Sequence, residues 1–148
     1  MISSNKAKGF TLVELLIVIV VIGILAAISI VAYNGVTQKS RDDQRISDVR
    51  NITSAAAAYN AENGKWPTVA ELKAFNTVKL SGTAASRLDD GASLTISASN
   101  KDDKYKYEFC TTAGSGGGAA ANTGVKVTYW KEDGNKLDTL STGTGTGC

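Results

Sequence analysis

The stretch from Gly9 to Gln38, GFTLVELLIVIVVIGILAAISIVAYNGVTQ, decides how the rest of the chain is read. No residue from Leu15 to Gln38 is charged, and Leu15 to Ile22 (LLIVIVVI) is wholly apolar. An apolar run of ~20 residues is long enough to cross a bilayer as a helix. Ahead of it, Met1 to Gly9 (MISSNKAKG) is short, mostly polar and positive through Lys6 and Lys8. Positive charge before a span predicts an N-terminus in the cytoplasm and the remainder outside. A secretory signal peptide, with Ala26-Ala27 as its small-residue cleavage region, is the plain alternative. Glu14 argues against it, because a carboxylate inside a membrane helix costs about 2.5–3.5 kcal/mol and is rarely kept there without a use.

The composition narrows the function classes. The 148 residues carry 16 Lys+Arg against 14 Asp+Glu and no histidine. The commonest general base and the commonest metal ligand are therefore both missing. Cysteine occurs only at Cys110 and Cys148, leaving no Cys/His cluster for zinc or iron–sulfur. No nucleophile–base pair is legible, so an enzyme is not expected and no cofactor is implied. A formal charge of +2 does not mark a nucleic-acid binder.

Lys8-Gly9-Phe10-Thr11-Leu12-Val13-Glu14-Leu15-Leu16 resembles the class III signal of type IV pilin precursors and their pseudopilin relatives. In that family a membrane aspartyl protease, the prepilin peptidase, cuts after the glycine and methylates the new amine. The resemblance implies a scissile bond between Gly9 and Phe10 and N-methylation of Phe10. It is close through about Tyr33 and only general beyond. Each matched residue also has a physical role. Gly9 lets the backbone lie extended in a protease, and Phe10 becomes an apolar N-terminus. Glu14, one turn further on, can sit beside the Phe10 amine of a neighbouring subunit, a pairing that fixes axial register. Loss of Lys6 and Lys8 with the leader would leave 14 basic against 14 acidic side chains, a balance suited to homopolymeric packing. Gly23 and Ala27 have the small-xxx-small spacing that lets helices approach closely. Many family members carry a proline eight residues after the glycine matching Gly23; here that position is Val31.

Past Val36 the pattern becomes amphipathic. Ile46, Val49, Ile52, Ala56 and Tyr59 recur at spacings of three and four, predicting a helical stripe that faces a core. Asp42, Arg45, Asp48 and their charged neighbours fall mostly off that stripe and read as solvated helix pairs, worth tenths of a kcal/mol each. Asn63-Gly64 supplies a stop. One helix from Phe10 to Glu62 would be roughly 80 Å long.

Thr68 and Glu71 have capping-box spacing ahead of a short helix carrying Leu72 and Phe75. Alternation predicts strands at Leu94–Ser97, Lys104–Phe109, Val125–Trp130 and Lys136–Leu140, and Gly114–Gly124 reads as a loop. The Tyr/Lys alternation at Lys104–Tyr107 reads as a half-buried strand rather than a nucleic-acid stacking surface. Asp89-Asp90, Asp102-Asp103 and Asp133-Gly134-Asn135 carry calcium-type oxygens without EF-hand spacing, and turn chemistry explains each more simply. Asn51-Ile52-Thr53 is a glycosylation sequon of low specificity. In a segment outside the cytoplasm Cys110 and Cys148 most simply form one disulfide, closing a loop of about 39 residues worth up to ~4 kcal/mol and tying down the Ser141–Gly147 tail. No CxxC motif supports a redox role, and a lipidated cysteine would follow the signal directly.

The expected architecture is α+β. It comprises a leader (1–9), a transmembrane or filament-core helix (10–36), the amphipathic half of the same helix (37–63), and a head (64–148) whose small antiparallel sheet packs on that helix in the ladle-shaped pilin fold. The resemblance implies a structural subunit, held in the inner membrane as precursor and polymerised into an extracellular pilus for adhesion, motility or DNA uptake. Its partners would be other copies, the prepilin peptidase, an assembly platform with its ATPase, and membrane lipid before assembly. A pseudopilin of a secretion or competence system is the alternative, and a membrane-anchored binding module a third.

Overall fold

The computed structural model describes residues 9–91, 104–112, 121–145 and 148. The chain divides into two compact units, Met1–Thr37 and Gln38–Cys148.

The first unit contains the opening part of helix α1 (Leu12–Asn63). Its backbone stays helical through Val31, with none of the interruption a proline would bring. Here the large apolar side chains from Leu12 through Ile22 to Ile30, and then Tyr33 and Val36, are exposed. Such a surface is normal against lipid or other helices and abnormal against water. By length and composition this helix can cross a membrane.

In the second unit the expected stripe of α1 is the one that is buried. Val49, Ile52 and Ala56 are fully covered, Ile46 packs at the margin of that core, and half-buried Tyr59 meets the Phe75 ring edge-on. The helix stops as its sequence indicates. Gly64 takes a φ of 68°, which only glycine adopts without strain, while its N–H donates to the Asn60 carbonyl at 2.8 Å. Helix α2 (Val69–Ala74) is opened by the Thr68–Glu71 capping box. Helix α3 (Gly82–Arg87) follows, capped by Ser81.

Four strands complete the unit: β1 (Leu88–Asp89), β2 (Tyr105–Thr112), β3 (Ala121–Lys131) and β4 (Lys136–Gly143), in spatial order β1-β2-β3-β4. Strands β2, β3 and β4 are antiparallel, with Val127 opposite both Tyr107 and Leu140. β1 runs parallel to β2, so the sheet is mixed and not wholly antiparallel. Parallel neighbours need a crossover connection, and the chain between Asp89 and Tyr105 is long enough to provide one. Alternation puts Tyr105, Tyr107, Val125, Val127 and Tyr129 in one core with the helix stripe and Leu72. Burying each such side chain contributes about 1.5–3 kcal/mol.

Two local expectations change. Ala121–Gly124 belongs to β3 and not to the glycine-rich loop. Ser141–Gly143 is strand, paired with Gly124–Lys126, so that part of the tail is held by the ladder as well as by a covalent bond. The Leu94–Ser97 segment lies outside the described residues.

Candidate assembly and anchoring sites

Gly9, Phe10 and Thr11 are non-helical, and Phe10 is 89% exposed. The Gly9–Phe10 peptide bond therefore lies in accessible, unwound backbone two residues before α1 begins. Thr11 is the cap of that helix. Its amide donates to Glu14 Oε2 at 2.8 Å and its hydroxyl to the same oxygen at 2.6 Å, while the Glu14 amide donates back to Thr11 Oγ1 at 3.2 Å. This reciprocal pair is a second capping box. The Thr-x-x-Glu spacing is the same as at Thr68–Glu71, so Glu14 is a capping residue as well as a lone charge in an apolar run. Among the described residues, only Oε2 is engaged.

Three of the charged residues in the second half of α1 are not solvated, while Lys39, Asp43 and Arg50 are exposed as expected. Asp42, Arg45 and Asp48 are each at most 3% exposed. The Asp42 carboxylate accepts the backbone N–H groups of Glu132 (2.9 Å) and Asp133 (2.8 Å), at the turn joining β3 to β4. Arg45 donates to Asp42 at 3.1 Å and to Glu132 at 3.0 Å, and Arg41 grips Glu132 through two nitrogens at 2.8 and 2.6 Å. One turn along, Asp48 accepts from Gln44, Ser81, Thr83 and Tyr105. A buried carboxylate is tolerated because each oxygen is supplied with donors. The two clusters pin the β3–β4 turn and the start of α3 to the helix.

The pinning is pH-sensitive in a defined direction. The Arg41 hydrogen bond, opposed by burial and helped by Arg45, holds the Glu132 carboxyl at about 2, below its ordinary 4.5. A carboxylate with a depressed folded-state pKa contributes stability that is fully present above the unfolded value and is lost as pH falls through the folded one. Resistance to urea should therefore fall from about pH 4.5 towards 2. Glu71, held at about 2 chiefly by Lys65, adds to the same slope. Glu132→Gln should flatten part of it, and a denaturation series over this range checks the point. Burial moves the core phenols the other way, Tyr105 to about 12.

Cys110 and Cys148 are joined by a disulfide, with Cα atoms 5.5 Å apart. Cys110 is buried on β2. Gly124 makes room for the bond, since a Cβ there would lie 2.9 Å from Cys148 Sγ and 2.6 Å from the Thr142 carbonyl oxygen. Because the ladder already holds Ser141–Gly143, Cys148→Ser should lower stability by only a few kcal/mol, about 4 at most, with the rest of the unit intact. Thermal melts of oxidised, reduced and Cys148→Ser protein test this.

Among the described residues no cluster of three metal-ligating side chains occurs. Asp89 faces Lys104 at 3.7 Å and Asp133 faces Lys131 at the same distance, while Asp102-Asp103 lies outside the described residues. The sequon is engaged internally. Asn51 Oδ1 accepts the Ser81 amide at 3.0 Å, and Thr53 is buried against the Val49 and Arg50 carbonyls.

An exposed apolar helix with an accessible junction before it, in a chain that also holds a unit of helix and small sheet, fits a membrane-anchored precursor. A profile described as the prokaryotic N-terminal methylation motif matches residues 4–30. The chain is 32% identical over 127 residues to a fimbrial protein of Pseudomonas aeruginosa, covering 86% of this chain and 81% of that one. It is 43% identical over 60 residues to the type IV major pilin protein PilE1 of Neisseria gonorrhoeae, which covers 40% of this chain. That match spans only about a third (36%) of the gonococcal protein's length. It is also 33% identical over 76 residues to type II secretion system core protein G of Pectobacterium carotovorum subsp. carotovorum, 51% of this chain and 49% of that one. No solved structure matches. The chain belongs to the type IV pilin family.

Proposed function

We propose that the chain is a structural subunit, a major pilin, of a type IV pilus. It enters the inner membrane as a precursor through residues 10–36, with its N-terminus in the cytoplasm. A prepilin peptidase cuts between Gly9 and Phe10 and methylates the Phe10 amine. An assembly platform and its ATPase then draw the subunit from lipid into a homopolymer, where Glu14 of one copy meets the Phe10 amine of the next. The observation that carries this reading is the pairing of an unwound, exposed Gly9–Phe10 junction with an apolar helix bearing one carboxylate. Thr11 already satisfies Glu14 Oε2 within the chain. The precursor can thus hold the carboxylate at the helix start, and the second oxygen is left for the amine that cutting creates.

A pseudopilin reading is supported by the likeness to the secretion-system protein. The fimbrial relative aligned over most of both chains favours the pilus. Electron microscopy of cells with and without this chain distinguishes them. Surface filaments that vanish with the gene and label with antibody to the second unit fit the pilin, and unchanged filaments with failed protein secretion fit the pseudopilin. Gly9→Val should leave uncut precursor in the membrane.

A further inference from the structure

Among the described residues no strand pairs with the outer side of β4, which leaves an eight-residue edge, Lys136–Gly143. Edges of this length are templates for strand addition, and the sequence KLDTLSTG offers one cation and two β-branched threonines. At the middle of the edge the Thr139 N–H donates to Asp138 Oδ1 at 2.9 Å, so it is not part of the ladder with β3. Alternation places the N–H groups of Leu137, Ser141 and Gly143 on the same outer side. All four of these residues are exposed. Asp138 lies opposite Tyr129, and its other oxygen, Oδ2, accepts the Tyr129 hydroxyl at 3.2 Å. The carboxylate is thereby held from the sheet side while it occupies the central donor of the edge.

We propose that Asp138 guards β4 against strand pairing with the β4 of a second copy. An approaching strand meets a donor already taken and, beside it, a negative charge aimed at its own carbonyl oxygens. The use of such a guard rests on the filament reading, in which many copies crowd together and open sheet edges would offer a competing mode of association. The guard itself is tested on purified chain without assembling any filament, so the two ideas fail separately.

The test compares self-association of full-length chain in detergent micelles by sedimentation. Wild type is run beside Asp138→Val and the milder Asp138→Thr, each with and without Thr139→Pro, and the Cys110–Cys148 bond is checked as a marker of folding. Both single variants should associate with a Kd about tenfold lower than wild type, and Thr139→Pro, which removes the outward N–H, should restore the wild-type value. If Asp138→Val does not fold, Asp138→Thr carries the comparison. Association no tighter than wild type, or tighter association that the proline leaves in place, overturns the proposal.

Discussion

Glu14→Ala is expected to give a chain that is made, inserted and cut, yet forms roughly a hundredfold fewer filaments. In the polymer the Phe10 amine and the Glu14 carboxylate would lie in an otherwise apolar bundle, each making the other tolerable. Removing one partner of such a pair costs about 3–5 kcal/mol, and every added subunit meets that cost again. Glu14→Ala also dismantles the capping box with Thr11, so a control is needed. Thr11→Val removes the hydroxyl but keeps the carboxylate, at a cost of about 1 kcal/mol in capping. Filaments that persist in Thr11→Val and vanish in Glu14→Ala assign the loss to the charge. Normal filament numbers from Glu14→Ala, at normal subunit levels, would show that the contact is dispensable.

Asp42→Ala should cost the second unit about 3–5 kcal/mol, a large part of the roughly 5–15 kcal/mol that keeps a domain folded. The loss has two sources. The Glu132 and Asp133 amides lose their acceptor, and the buried Arg45 loses one of its carboxylates. Asp42→Asn keeps an acceptor and should cost less. Arg41→Ala, at the half-exposed end of the same network, should cost about 1 kcal/mol or less. Urea unfolding with the disulfide intact measures all three, and a shift below about 1 kcal/mol for Asp42→Ala would contradict the pinning role.

The long helix was legible because its information is local. Apolar content fixes the first part, and the three-four spacing of Ile46, Val49, Ile52, Ala56 and Tyr59 fixes the buried face of the second. Asn63-Gly64 and Thr68–Glu71 were legible for the same reason, since a cap is made by neighbours in sequence. What was misread depends on distant partners. Asp42 is buried by a turn 91 residues away and Asp48 by residues 33 to 57 away, and nothing in the helix sequence announces either. Helix α3 and strand β1 have six and two residues, too few to display a period. The parallel pairing of β1 depends on Tyr105 and Lys106, more than fifteen residues further on, and not on the strand itself. Thr11–Glu14 is the instructive case: the motif is local and was present, but it was read only for the charge it would offer a neighbour.

The most direct test of the central claim is the intact mass, with N-terminal sequencing, of subunits sheared from the cell surface. The account requires a chain that begins at Phe10, carries one added methyl group on its amine and retains the Cys110–Cys148 bond. A surface chain that begins at Met1, or one cut near Ala27, would contradict it.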